Sequence, residues 1–125
     1  MISESTYTLY RKGMELLEDG SYGEATEPLA EAARRAPEKT SVREALGRAY
    51  FKNRQFTEAA TEFEAVVEAA PVNDYAHFCL GRALSMTGHS ERARHHLALA
   101  SNLQPERSDY RLYRDRARGA RRSSG

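Results

Sequence analysis

The sequence predicts an all-α protein in which three antiparallel helix pairs stack on one another and a last helix caps the stack. The first observation is a fixed period of about 34 residues, at which prolines and glycines recur along almost the whole chain. The prolines are Pro37, Pro71 and Pro105, and the glycines are Gly13, Gly47 and Gly81. A fixed period of this length indicates stacked supersecondary units rather than one globular core. The second observation is the helical spacing of apolar residues between these markers, as in Phe63, Val66, Val67 and Ala70.

Seven helices are expected, and no strand. The predicted ranges are 6–19, 23–36, 40–53, 57–70, 74–87, 91–103 and 107–119. Asp19-Gly20 and Asn53-Arg54 are typical of turns between the two helices of a pair. Because proline cannot continue a helix, each recurring proline is expected to end one pair and lead into the next. Pro28 lies early in the second helix and removes one backbone hydrogen bond there.

Small residues recur where the two helices of a pair would cross. A glycine inside a helix costs about 1 kcal/mol relative to alanine, so the periodic glycines predict backbones that approach too closely for a side chain. Each glycine is followed, always at the same offsets, by an alanine and then by a large apolar residue one helical turn further on. The alanines are Ala25, Ala59 and Ala93, and the large residues are Leu29, Phe63 and Leu97.

The repeats are predicted at 6–39, 40–73 and 74–107, within a single domain over residues 1–120. The capping helix, at about 107–119, has an apolar stripe of Tyr110, Tyr113, Ala117 and Ala120 among arginines. A polar outer side is what the last unit of a stack needs in order to face water. Residues 120–125 are expected to form a basic flexible tail.

Composition indicates a soluble protein of the cytoplasm. The net charge is +1 and 40% of the residues are hydrophobic, without an apolar run long enough to span a membrane. The residues after Met1 lack the basic start and apolar stretch of a signal peptide. The single cysteine forbids an internal disulfide. Arginine far outnumbers lysine, which favours a bacterial source.

Blocks that start at Thr6, Thr40 and Asp74 resemble the tetratricopeptide repeat, whose pattern places Leu-Gly, Tyr, Ala, Phe and Pro at set offsets. The middle block matches it with Leu46, Gly47, Tyr50, Phe56, Ala59, Phe63 and Pro71. The tryptophan position of the family is held by Leu9, Arg43 and His77. The resemblance covers residues 6–105. It implies a right-handed α-solenoid that acts as a protein–protein interaction module, either an adaptor or a chaperone-like protein.

The titratable residues of the third block do not form a pattern typical of an enzyme or a metal site. They are His77, Cys79, His89, His95 and His96. Residues two apart on a helix point roughly 200° away from each other, so His77 and Cys79 cannot share one ion. The sequence has no Gly-rich phosphate loop and no nucleophile elbow. We therefore expect no catalysis, cofactor or metal, with Cys79 as a packing residue and the histidines as surface or interhelix contacts.

The resemblance also implies a peptide-binding groove lined by the first helix of each pair. The predicted groove residues are Tyr7, Tyr10, Met14, Glu44, Arg48, Phe51, Tyr75, Phe78, Arg82, Tyr113 and Arg116. Arg48, Arg82 and Arg116 follow the same period as the prolines and predict a ladder of guanidinium groups. Because arginine forms forked pairs with carboxylates, the expected ligand is an extended, acidic and partly apolar segment of another protein. The alternative is local pairing, as between Arg48 and Glu44 one turn earlier.

One subset of the family binds chaperone tails through a carboxylate clamp of Lys, Asn and Arg side chains. The corresponding positions here are held by Tyr10, Met14, Ala45, Tyr75 and Cys79. The resemblance therefore implies a different ligand from those tails.

Two other functions remain open from the sequence. Residues 106–125 carry seven arginines and three acids, which would suit nucleic-acid binding, but the charge of the whole chain is nearly balanced. A structural role through self-association is the other, with Ile2, Tyr7 and Leu9 as candidate contacts at the open end of the stack and a homo-oligomer as its product.

Overall fold

A computed structural model of the protein describes the backbone of residues 4–124 and the side chains as far as residue 119. The elements are α1 (Thr6–Glu18), α2 (Tyr22–Arg35), α3 (Thr40–Lys52), α4 (Phe56–Ala69), α5 (Asp74–Met86), α6 (Ser90–Leu103) and α7 (Ser108–Ser124). Within these residues every regular element is a helix, which confirms the all-α prediction. None of the described helices has the length and apolar content needed to cross a bilayer.

The helices form two rows. Each helix packs against the next along the chain, and α1, α3, α5 and α7 also contact one another in sequence. Over the described part of the chain, α2, α4 and α6 do not contact one another in this way. The first helices therefore form the tight inner row and the second helices the more open outer row. This is the predicted right-handed solenoid of three helix pairs with a capping helix.

The periodic glycines lie where the helices of each pair cross. A Cβ atom on Gly47 would come within 2.8 Å of the Phe63 ring, and one on Gly81 would come within 2.7 Å of Leu97 Cγ. Leu29 blocks the same position at Gly13. The close approach predicted from the glycines is confirmed, and the side chain that meets each glycine is the large apolar residue of the same repeat.

The turns inside the three pairs share one geometry. Gly20, Arg54 and Gly88 have positive φ values of 83°, 64° and 83°, and each lies one repeat after the last. The next amide in each turn donates a hydrogen bond across the turn, as Gln55 N–H does to the Tyr50 carbonyl at 2.8 Å. This is a common helix C-terminus, in which a residue in the left-handed conformation lets the following amides donate to the last carbonyls of the helix. Arg54 adopts the same conformation without glycine's freedom.

The joints between pairs also repeat. Helices α2, α4 and α6 end just before the recurring prolines, as predicted. Arg43 Nε donates to the Pro37 carbonyl at 2.8 Å, and Arg111 Nη1 donates to the Pro105 carbonyl at 2.5 Å. The Nε2 atom of His77 lies 2.8 Å from the carbonyl of Pro71. These three side chains occupy successive equivalents of the tryptophan position, so here that position ties each first helix to the preceding joint.

Some predicted boundaries differ from the structure. Helices α2, α4 and α6 begin at Tyr22, Phe56 and Ser90, one residue earlier than predicted. The aromatic rings of Tyr22 and Phe56 therefore lie in the first turn of their helices. Helix α7 runs from Ser108 to Ser124, so it begins one residue later and ends five residues later than predicted. Alanine and arginine are good helix formers and no proline interrupts the segment, so Gly119 alone does not end the helix. Gly125 and the side chain of Ala120 lie outside the described residues.

The capping helix packs through the stripe predicted for it. Tyr110 is fully buried, with its ring 4.6 Å from that of Phe78, and Tyr113 and Ala117 pack in the same cluster. The Tyr110 hydroxyl donates to Asp74 Oδ2 at 2.7 Å. This hydrogen bond satisfies the buried polar end of the ring and connects α7 to the start of α5.

Candidate functional site

The first part of the candidate groove is a cavity of about 220 Å³ between α3 and α5. It is lined by Arg48, Phe51, Lys52, Phe63, Tyr75, Phe78, Cys79 and Arg82. Five of these eight residues belong to the predicted groove. Aromatic rings form much of the lining, and three cationic side chains stand beside them.

A second cavity, of about 200 Å³, continues the groove towards α1. Its lining is Tyr10, Met14, Thr40, Ser41, Glu44, Ala45 and Arg48. Arg48 lines both cavities and so stands at their junction. The inner row therefore brings eight of the eleven predicted groove residues into two adjoining hollows.

The arginines of the predicted ladder have different surroundings. The Arg82 guanidinium carbon lies 4.6 Å from the ring centre of Tyr113, 4.8 Å from that of Phe51 and 5.8 Å from that of Phe78. Cation–π contacts of this kind hold Arg82 between α3, α5 and α7. Arg116 is exposed, lies 5.2 Å from the Tyr113 ring and lines neither cavity.

Local pairing does not neutralise the two groove arginines. Glu44 accepts a hydrogen bond from Asn73 Nδ2 at 3.3 Å, and no ion pair joins it to Arg48. Across the described residues, neither Arg48 nor Arg82 has a hydrogen-bond acceptor or a carboxylate within ion-pair distance. Aromatic faces attract a cation but leave its N–H donors unused. The pairing of Arg48 with Glu44, considered from the sequence, is therefore absent.

Cys79 is a packing residue in this groove. Burial raises the pKa of its thiol to about 12, so the thiol is protonated at neutral pH. Burial also raises the pKa of the Tyr75 hydroxyl, which lines the same cavity. Because the thiolate is the nucleophilic form, Cys79 has none of the character of a reactive cysteine.

Two histidines of the third pair contact each other between α5 and α6. The Nδ1 atoms of His77 and His96 are 3.0 Å apart, and the rings stack with centres 5.2 Å apart. Because the Pro71 carbonyl can only accept, His77 carries its proton on Nε2, and His96 donates from Nδ1. The predicted interhelix role of the histidines is confirmed for this pair. No group of three metal-ligating side chains occurs among the described residues.

Tyr7, Tyr113 and Arg116 are the predicted groove residues that line neither cavity. Tyr7 is 69% exposed, and Tyr113 contributes by stacking on Arg82. Sequence reasoning missed Lys52 and Phe63 as lining residues. Lys52 lies one helical turn after Arg48, and Phe63 is the large residue opposite Gly47. The spacing of both residues could therefore have predicted that they line the groove.

Comparisons with known proteins agree with this architecture. A family model described as tetratricopeptide repeat matches residues 10–74 and again residues 44–102. A comparison with curated proteins found no match.

Solved structures of similar fold cover nearly all of the chain. The first TPR of Spaghetti (RPAP3) bound to the HSP90 peptide SRMEEVD has a TM-score of 0.87 and 19% identity, over 96% of this chain and 95% of that one. The first TPR domain of human RPAP3 has a TM-score of 0.85 and 19% identity, over 94% and 93%. MamA from Desulfovibrio magneticus RS-1 has a TM-score of 0.89 and 25% identity, over 94% of this chain and 66% of that one.

Proposed function

Because the chain belongs to the tetratricopeptide repeat family, we propose that it is a non-enzymatic adaptor or chaperone-like module whose inner groove binds an acidic and apolar segment of another protein. One observation carries the proposal. Arg48 and Arg82 line the same partly aromatic cavity and, within the described residues, have no acceptor for their N–H groups. A ligand carboxylate would supply those acceptors.

The size of the cavity favours a peptide side chain over a small-molecule ligand. Pockets that enclose drug-sized ligands have volumes of about 300 to 1,000 Å³. The main cavity, at about 220 Å³, has room for one large apolar side chain against Phe51 and Phe78. A carboxylate on a neighbouring residue of the same peptide would then reach Arg48 or Arg82.

The spacing of the helices sets the register of such a peptide. Packed helices lie roughly 8–10 Å apart, and an extended chain advances about 3.3 Å per residue, so equivalent positions on α3 and α5 match peptide residues about three apart. Glu44 lines the second cavity and would repel an acid there. The proposed ligand therefore has its acids near Arg48 and Arg82 and an apolar residue towards Tyr10 and Met14.

The RPAP3 structure shows that a similar fold holds a peptide with three acidic side chains. At 19% identity this likeness concerns the fold alone. The clamp positions carry Tyr10, Met14, Ala45, Tyr75 and Cys79 in this chain. The proposal is consequently an acidic ligand with an apolar anchor, bound by a different set of side chains.

The test is selection of a displayed peptide library against the protein, followed by titration of the selected peptides. We expect acids about three residues apart beside an aromatic or aliphatic residue. Arg48→Glu should weaken binding at least about tenfold, and adding Arg82→Glu should weaken it further. Arg48 has no packing partner comparable with the rings around Arg82, so the single variant separates lost charge from lost structure.

The matched control reverses two exposed arginines of the outer row, Arg34 and Arg92. Each forms an exposed ion pair, with Glu31 and Glu64 respectively, so its loss costs little stability. Equal binding by the wild type and Arg48→Glu, with both proteins folded, would contradict the groove assignment. So would a loss of binding in the outer-row variant.

A further inference from the structure

Charge changes steadily from one end of the solenoid to the other. With histidines neutral, residues 1–39 carry eight acids and five bases, a net charge of −3, and residues 40–73 carry five acids and four bases, a net −1. Residues 74–107 carry three acids and four bases, a net +1, and residues 108–125 carry two acids and six bases, a net +4. The small total charge of +1 therefore conceals two ends of opposite sign.

The acidic end contains a groove between α1 and α2, with a volume of about 380 Å³. Its lining is Leu9, Lys12, Leu16, Glu24, Glu27, Pro28 and Glu31. Lys12 is paired with Glu4, and Glu31 with Arg34 and Arg35. Within the described residues, Glu24 and Glu27 have neither an ion pair nor a hydrogen bond.

The equivalent positions of the later repeats show which helix packs on this face. Lys12 is equivalent to Leu46 in the second repeat and to Leu80 in the third. Leu46 packs in one core with residues of α2, and Leu80 packs in one core with residues of α4. In later repeats this face is thus covered by the second helix of the preceding pair. In the part of the chain that the structure describes, no helix covers it at α1.

At the basic end, α7 has a face on which no described element packs. In α5 the equivalent positions, His77 and Gly81, pack against α6, through His96 and Leu97. In α7 those positions are Arg111 and Asp115. Arg118 follows on the same side, and the nearby Leu112 is 47% exposed. Arg111 donates one hydrogen bond to the Pro105 carbonyl and Arg118 lies 3.8 Å from Asp115, so each guanidinium keeps further N–H donors for a partner. These arginines around an exposed leucine match the free glutamates and apolar floor of the opposite end.

We propose that α7 of one copy of this chain docks in the α1–α2 groove of a second copy, in the place that the second helix of the preceding pair takes in later repeats. Arg111 and Arg118 would face Glu24 and Glu27, and Leu112 would face the apolar floor. The two surfaces of such a contact are different, so each copy keeps one free groove and one free α7. A head-to-tail contact of this kind extends to open chains of molecules unless the rotation closes a ring.

The contact is expected to be weak and sensitive to salt. Exposed ion pairs contribute little individually, and the Debye length falls from about 30 Å at 0.01 M salt to about 3 Å at 1 M. Sedimentation velocity in about 20 mM and about 500 mM NaCl measures this directly. For the wild type we expect the sedimentation coefficient to rise with protein concentration at low salt, and the association constant to fall at least about tenfold at high salt.

Neutral variants of each end test the geometry. Glu24→Gln with Glu27→Gln removes the charge of the groove, and Arg111→Gln with Arg118→Gln removes that of α7. Each variant alone should remain monomeric, because one half of every contact is lost. An equal mixture should form a dimer and nothing larger, since the intact α7 of the first variant meets the intact groove of the second.

The matched control is Glu58→Gln with Glu68→Gln, in which Glu58 is the equivalent of Glu24 in the middle repeat. It should associate as the wild type does. Thermal unfolding checks that every variant is folded.

The proposal is overturned if the wild type is monomeric at low salt, if the mixture of end variants stays monomeric, or if association disappears on nuclease treatment. The last result would assign α7 to nucleic acid instead. None of these outcomes depends on whether the inner groove binds a peptide.

Discussion

At the scale of single residues, Arg82 shows how a residue of the candidate groove also belongs to the packing of the fold. Three rings from three helices surround its guanidinium, and this makes it part of the packing of the inner row. Its periodic equivalent Arg48 lines the same cavity without such contacts. Both arginines occupy the same position of the repeat, yet only Arg82 holds helices together.

We therefore expect Arg82→Ala to lower the free energy of unfolding by about 1–2 kcal/mol, through lost cation–π contacts and lost packing of the arginine stem. Arg48→Ala is the matched control and should change it by less than about 0.5 kcal/mol. Urea unfolding followed by circular dichroism measures both. Equal effects of the two substitutions would show that the aromatic surroundings of Arg82 add nothing to stability.

At the scale of helices, the crossing of each pair depends on a glycine under a large side chain. Gly81 lies beneath Leu97, and a Cβ there would also approach the Ala93 carbonyl at 3.2 Å. Helix propensity alone would favour alanine by about 1 kcal/mol. The clash is with a branched carbon and a backbone atom rather than with a flexible chain end, so we expect packing to outweigh propensity.

Gly81→Ala should accordingly destabilise the protein by about 1–3 kcal/mol, the usual cost of an overfilled contact. Gly119→Ala in α7 is the control, since a Cβ there meets no atom of the described residues within 4 Å. That substitution should leave stability unchanged or raise it by up to about 1 kcal/mol. Denaturant midpoints of the two variants settle the comparison, and a stabilising Gly81→Ala would refute the close crossing.

The packing of α5 on α6 also makes stability depend on pH. Burial, together with the neighbouring His77 and His95, lowers the pKa of His96 to about 4, while Glu64 opposes and Arg92 supports the shift. The unfolded chain takes up a proton at His96 near a pH of about 6.5, whereas the folded chain does so only near pH 4. The free energy of unfolding should thus fall as the pH is lowered through this range. Because His96 is only half-buried, we expect a loss of about 1–2 kcal/mol.

The preceding repeat offers the control for this pH dependence. There the equivalent positions hold Arg43 and Glu62, whose side chains form an ion pair at 3.1 Å. Replacing His77 with Arg and His96 with Glu would copy that pair into the third repeat. The melting temperature of this variant should then fall less steeply between pH 7 and pH 5 than that of the wild type. An unchanged slope would mean that the histidine pair is not its source.

At the scale of the whole molecule, the two rows of helices have different roles. The inner row is close-packed and carries the adjoining cavities around Arg48. The outer row is more open, and a hollow of about 390 Å³ lies between α4 and α6. Each unit contacts only its neighbours, so the ends of the stack are its exposed surfaces. Within the described residues, Tyr110 packs α7 over Phe78 at one end, the groove beside Leu16 lies at the other, and both ends keep a face on which no helix packs.

The sequence by itself determined the fold, because a solenoid repeats the same local solution. Three residues recur once in every repeat, namely the glycine at the helix crossing, the alanine beside it and the proline that ends the pair. Each of them makes its contacts within its own repeat or the next one. Positions facing the inner row follow from the same count, which is why eight of the eleven predicted residues line the cavities.

Only the tertiary structure decided which side chains those residues contact. Arg48, Arg82 and Arg116 share one register position, but within the described residues only Arg82 has rings of neighbouring helices around it, those of Phe51 and Tyr113. Arg116 lies beside Tyr113 of its own helix. The tertiary structure also decides the contact of His77 with His96, the place of Phe63 in the groove wall and the uncovered faces at the two ends. Periodicity sets where a side chain points, whereas its partners depend on how neighbouring repeats differ from one another.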